Sequence, residues 1–409
     1  MPLTREYFAQ QAGRYKVKKK DEEALGLLLD RWELSTSEAT KYAFERQWFV
    51  NLAFYAGVQN VSWNHISRRL EEPPAPSWRR RYVANLILPM VQRSVAKLTA
   101  ERPRTVVVPN SPERDDVNSA TVATKVLEHL YTETKIDDVV RDVAMWGALC
   151  GTGYFKVHWD PDRGPRISDV LGGDVKDALS AEKQRTEEKL TSDRQDLDLR
   201  LGEVAMEAVS PFKIYTDAPT PSVDWKDATW VIEGTERPLD YIRERWDNGK
   251  FVTAESSERT PGGWWERRLS NLVGPTGVSS ASGQEDKTDS AVVLEMWEKP
   301  GPTHPRGRYV VAANGVILDN RVNVYADELN IWNPYIPWHY IEMPGRHWGI
   351  SLVENLIAPQ REYNIARSQI IESKNLMSKP KWVVPKGAGI PDTALTSEPG
   401  EVVEYNPNF

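Results

Sequence analysis

Six histidines, one cysteine and a short glycine cluster are the residues with most chemistry to offer. The histidines are His65, His129, His158, His304, His339 and His347. None belongs to an HExxH pattern, and no two stand at close ligand spacing. With Cys150 as the only thiol, a zinc site lacks donors. The lone cysteine also excludes an intramolecular disulfide and suits a reducing compartment. His339 and His347 bracket a turn at Pro344-Gly345 and read as hydrogen-bonded surface residues. No GxSxG elbow occurs. Gly151-Thr152-Gly153 invites a phosphate-loop reading. A phosphate loop needs Gly-Lys-Ser/Thr after a strand, and a dinucleotide loop needs a strand before its glycines and a helix after. Here a helical pattern precedes and a strand pattern follows, the reverse of both. Acidic pairs such as Asp115-Asp116 and Asp137-Asp138 open helical patterns, where the dipole favours them. No catalytic, cofactor-binding or metal residues are assigned, and no cofactor is expected.

Bulk properties narrow the class further. Lys+Arg 52 against Asp+Glu 59 gives −7, without the basic balance of a protein that grips phosphates. No run of 18 apolar residues exists, so no membrane span is expected, and the N-terminus has no hydrophobic signal core. A length of 409 residues suggests two or more modules. The 16 Trp suggest either sugar platforms or core. Trp146, Trp159, Trp230, Trp297 and Trp338 fall on core positions of helix or strand patterns, which favours packing and subunit contact.

The elements then follow in order. Residues 1–24 form a basic arm. Glu22 to Gly57 reads as helix, closed by Gly57. A helix from Asn85 to Arg102 turns Ile87, Met90, Val91, Val95 and Leu98 inward, and Thr105 to Pro109 is a short strand. Helices follow at Asp116–Tyr131 (through Ala120, Ala123, Val126, Leu127 and Leu130) and Ile136–Cys150, then a strand at Tyr154–Trp159. Residues 168–203 are a polar helical insertion. Strands are expected at 209–217, 229–234, 291–298, 309–317 with a turn at Asn314-Gly315, and 335–341. A short helix spans 237–246, and residues 252–290 are Ser, Gly and Thr rich.

The longest helical pattern runs from Ser351 to Ser378. Ser351 is its N-cap, with Glu354 completing a capping box, and Pro359 should kink it. Leu356, Tyr363, Ile370 and Met377 recur every seven residues as an apolar stripe. Gln360, Arg361, Arg367, Gln369 and Lys374 lie on the polar remainder.

Several of these stretches resemble tailed-bacteriophage portal proteins, the subunits of the head-to-tail connector ring. They are Phe54-Tyr55-Ala56-Gly57 with Trp63, RYVANLILPMVQRSVAKLTAERPRTVVVP (81–109), GALCGTGYFKVHWDP (147–161), Val209-Ser210-Pro211, His347-Trp348-Gly349-Ile350-Ser351-Leu352, Gln360-Arg361-Glu362-Tyr363-Asn364 and Lys379-Pro380-Lys381-Trp382. The resemblance implies an α+β, portal-like ring subunit with a wing, stem helices and a small β-containing clip. It divides the chain into a wing (1–235), a first stem helix (236–252), a flexible loop (253–290), a clip-like β block (291–345), a long stem helix (350–378) and a return to the wing (380–409), with a crown beyond the chain. It implies a non-enzymatic homo-oligomer, a dodecamer, at the capsid vertex of the virion and in the host cytoplasm during assembly. Implied partners are capsid protein, the terminase large subunit, a tail connector or adaptor, and double-stranded DNA packaged and ejected through the channel. The stripe Leu356, Tyr363, Ile370 and Met377 would then pack subunits, and Arg367 and Lys374 would touch DNA transiently. The alternatives are a Trp-rich hydrolase and a plain capsid or tail adaptor.

Overall fold

The structure, a computed structural model, describes residues 19–36, 41–64, 66, 69–74, 81–101, 105–160, 163–165, 201–217, 224–254, 289–328 and 331–378. Most of the basic arm, the polar insertion and the Ser/Gly/Thr-rich loop lie outside these residues, as does all of 380–409.

The fold is α+β, built on two antiparallel sheets. The larger has the order β5-β6-β7-β8-β9, with β5 Ile214–Thr216, β6 Trp230–Pro238, β7 Ser290–Glu298, β8 Arg308–Ala313 and β9 Val316–Val322. The smaller has the order β10-β3-β4, from β3 Thr152–Asp160, β4 Glu203–Val209 and β10 Tyr335–His339. A hairpin of β1 Ser62–Asn64 and β2 Arg69–Glu71 stands apart. Asn314 (φ 47°) and Gly315 (φ 80°) turn β8 into β9. A two-residue hairpin loop favours positive φ at both positions.

Alternation along the strands decides which helices cover which face. Trp230, Ile232, Val292, Leu294, Met296, Val310 and Ala312 point to one side. There they meet Ala24, Leu28, Leu29 and Trp32 of α1, Lys19–Ser35. Val231, Ala291, Val293, Trp297, Val311 and Ala313 point to the other side. They join the main core with α2 Tyr42–Tyr55, α3 Ile87–Leu98, α5 Ile136–Cys150 and the first turns of α8, Leu352–Ser378. The remaining helices are α4 Arg114–Glu133, α6 Leu239–Arg245 and α7 Val324–Glu328.

The sheets are joined by a buried ionic cluster. Lys156 Nζ on β3 donates to Glu233 Oε2 on β6 and, at 3.4 Å, to Glu295 Oε2 on β7. The Tyr335 hydroxyl on β10 donates to the same Glu233 oxygen at 2.6 Å. Burial works against the Lys156 ammonium, but the charges of Glu233 and Glu295 outweigh it and raise its pKa. Burial likewise opposes ionisation of Glu233, yet Lys156 and two hydrogen bonds hold its pKa down to about 2.

Several expectations need correction. The continuous helix from Glu22 to Gly57 is two helices, α1 and α2, packed against different cores. Met90 and Leu98 are about half exposed on α3 (52% and 49%), because only Ile87, Val91 and Val95 face the core. On α4 only Ala120 is buried, and Val126 faces outward. Residues 105–109 pair with no strand among the described residues. The segment expected as a first stem helix, 236–252, opens on the end of β6 and continues as a seven-residue α6 and a 3-10 turn. The expected boundary between a wing ending at 235 and a β block beginning at 291 falls inside one sheet. There β6 and β7 pair without a break from Trp230↔Glu298 to Pro238↔Ser290.

Candidate subunit interface on the long helix

The glycine cluster has a packing explanation. Gly151 caps α5 at φ +89°, and a Cβ there would meet the Gly349 carbonyl oxygen at 2.3 Å. A Cβ on Gly349 would meet the Gly151 oxygen at 2.4 Å. Two backbones therefore cross in contact just before α8, which only glycine permits. Thr152 Oγ1 accepts the Gly349 N–H at 2.9 Å. His347 was expected on the surface. It is instead 3% exposed, hydrogen-bonded to the Tyr154 hydroxyl at 2.8 Å and flanked by Trp225 and Trp348. Among the tryptophans, Trp230 and Trp297 are core as expected, whereas Trp159 is 57% exposed on the outer part of β3. Among the described residues no group of His, Cys, Asp and Glu could hold a metal ion. No described helix is long and apolar enough to cross a membrane.

This crossing launches α8. Ser351 Oγ accepts the Glu354 N–H at 2.9 Å, the expected N-cap. It also accepts a bond from buried Asn51 at 2.9 Å. The helix continues through Pro359 to Ser378. Its inward face is Val353, Ile357, Gln360 and Asn364, all buried, at helical spacing. The last two are polar because they serve a strap of backbone, residues 82–86, laid along the helix. Gln360 Nε2 donates to the Ala84 carbonyl at 2.7 Å, and its Oε1 accepts the Leu86 N–H at 3.2 Å. Asn364 Oδ1 accepts the Ala84 N–H at 3.2 Å, and its Nδ2 donates to Gln59 Oε1 at 2.6 Å. Ser368 Oγ accepts the Tyr82 N–H at 3.0 Å. Arg367 lies over the Tyr82 ring at 5.9 Å.

The apolar stripe faces elsewhere. Leu356 packs against the core, Tyr363 is 41% exposed, Ile370 58% and Met377 82%. A seven-residue repeat on a straight α-helix drifts by about 20° per heptad. Each member of the stripe therefore stands further from the inward face than the one before. From Ala366 onward the helix has Ala366, Gln369, Ile370, Ser373, Lys374 and Met377 lining a shallow open groove. Of the residues singled out from sequence, the structure brings Ile370, Lys374 and Met377 together and separates Leu356 from them. The polar seam of Gln360, Asn364 and Ser368 was missed. Its signal was present in the i, i+4, i+8 spacing of three short polar side chains.

The inner face of α8 is thus held by Val353, Ile357 and the bonds of Gln360 and Asn364, while Ile370 and Met377 stand exposed. Residues 46–408 match the Phage P22-like portal protein family. The chain belongs to that family and is a structural portal subunit of the phage capsid vertex. It shares the family's ring-forming, virion-associated character and its general dealings with capsid and terminase. The hydrolase and adaptor alternatives receive no support. No curated protein matches this chain.

Proposed function

We propose that twelve copies of this chain close a ring whose channel passes double-stranded DNA into the capsid and later out of it. The terminase large subunit docks on one end during packaging and the tail connector replaces it afterwards. Assembly takes place in the host cytoplasm. ATP hydrolysis belongs to the motor, and the subunit itself carries no catalytic step. The two sheets with α1 to α5 act as the wing-like body, and α8 acts as the stem. Of the stripe, Tyr363, Ile370 and Met377 pack against the neighbouring subunit, while Leu356 packs inside its own chain. Arg367 and Lys374 make transient contacts with DNA.

One observation carries the subunit-packing assignment. Apolar exposure on α8 rises to 82% at Met377 while the opposite face spends its polar groups on the strap at 82–86. Native mass spectrometry with negative-stain imaging of the purified chain tests it. Closed rings of a single mass are expected, twelve subunits among them. A monomer at every concentration would overturn it.

A further inference from the structure

Thr105-Val106-Val107-Val108-Pro109 has a strand's composition, with three consecutive β-branched valines. The segment runs without a turn or bend yet joins no sheet among the described residues. Pro109 itself holds Val108 in the extended region. One side of the segment is occupied: the Val107 N–H donates to Thr124 Oγ1 of α4 at 3.2 Å. In a straight chain, successive N–H and C=O pairs point to opposite edges. The backbone groups of Val106 and Val108 therefore face away from α4. Neither takes part in a hydrogen bond among the described residues. The two side chains are 68% and 80% exposed.

An open strand edge flanked by exposed valines is a template for another strand. A ring supplies one. Ring contacts are heterologous, so a patch on one subunit meets a different patch on the next. Strand addition provides two unlike halves, a free strand and a free sheet edge. The sheet edges of this chain, β4, β5, β9 and β10, each pair on one side only among the described residues.

Resting on the ring reading above, we infer that residues 105–109 add as a strand to a sheet edge of the neighbouring subunit, through the outward backbone groups of Val106 and Val108. This contact is separate from the α8 stripe and depends on main-chain bonds rather than side-chain shape.

Hydrogen exchange of the wild-type ring against the dissociated subunit tests it without any variant. The Val106 and Val108 amides should slow by roughly tenfold or more on assembly, while Val107, already bonded, changes little. Val106→Pro removes an outward N–H and leaves the Val107–Thr124 bond, whereas Val106→Ala keeps the N–H. The proline variant should lower ring formation roughly tenfold, and alanine should stay within about threefold. Rings whose Val106 and Val108 amides exchange as fast as in the subunit would overturn the inference and leave the ring reading standing. Failure of the wild-type chain to form rings would remove both.

Discussion

Ile370→Asp separates subunit packing from folding. Ile370 is 58% exposed in the single chain. Fully burying an isoleucine is worth about 1.5–3 kcal/mol, so covering the exposed remainder on a neighbour contributes about 1–2 kcal/mol. Aspartate removes that and places a carboxylate in a dry contact, at a cost of several kcal/mol. Arg367 stands three residues before and Lys374 four after, within reach along a helix, and each offsets a few tenths of a kcal/mol. A net loss of about 3–5 kcal/mol per interface remains, equivalent to roughly two to three and a half decades in association. The isolated subunit should hardly notice, since an exposed substitution usually changes stability by about 0.5 kcal/mol or less. Sedimentation velocity across a concentration series, with the thermal midpoint of the subunit alongside, reads both quantities. Ile370→Ala should lose only the smaller packing contribution. Rings of normal mass from Ile370→Asp, with unchanged concentration dependence, would refute the assignment of this stripe to subunit packing.

Four further outcomes are expected. Lys156→Met leaves Glu233 and Glu295 without their cation and should destabilise the chain by about 3–5 kcal/mol in urea titrations. Glu233 has a folded pKa near 2 against an ordinary 4.5, so its contribution is complete above 4.5 and is lost as the pH falls through about 2; Glu233→Gln should flatten that acid limb. Gly151→Ala must fit a methyl where the Gly349 oxygen stands at 2.3 Å, at positive φ; a loss of more than about 2 kcal/mol is expected in thermal melts, and a neutral result would mean that the crossing before α8 yields easily. In the proposed ring of twelve, −7 per subunit would sum to −84 (12 × −7), so a short labelled duplex should bind the assembled ring weakly and lose affinity steeply with salt; sub-micromolar affinity at near-physiological salt would contradict a sliding channel.

The sequence announced α8 through local signals. Ser351 and Glu354 set its start, and no glycine interrupts it before Ser378. It did not announce which face is inward. Gln360 and Asn364 look like solvent-side residues until the strap at 82–86, some 280 positions away, claims their hydrogen bonds. Periodicity reports that a face exists but cannot say what covers it. The same limit explains Met90 and Val126, apolar residues on periodic helices that the chain leaves outside. The split between α1 and α2 was hidden because both halves are rich in helix formers, and only their separate docking cores distinguish them. Strand positions were easier to read, since alternation recorded the sheet's two buried faces. The pairing of β6 with β7 was harder, because the intervening segment disguised two neighbouring strands as separate blocks.

The apolar burial along α8 is uneven, and the unevenness matters for a ring. Its first half is fixed by the Ser351 cap, by Val353 and Ile357 in the core, and by Gln360 and Asn364 on the strap. Beyond the Tyr82–Ser368 bond, its apolar residues Ile370 and Met377 stand 58% and 82% exposed. The root of such a helix takes the orientation of the body, and whatever covers the open apolar residues constrains its tip. The body is stiff, because Lys156, Glu233 and Tyr335 lock the two sheets in one buried cluster. Neighbouring subunits that cover Ile370 and Met377 would therefore set the direction of each stem, while the sheets set the spacing between roots. In that arrangement stem geometry is a property of the closed ring. Loosening the tip contacts should disturb the channel before it disturbs the fold.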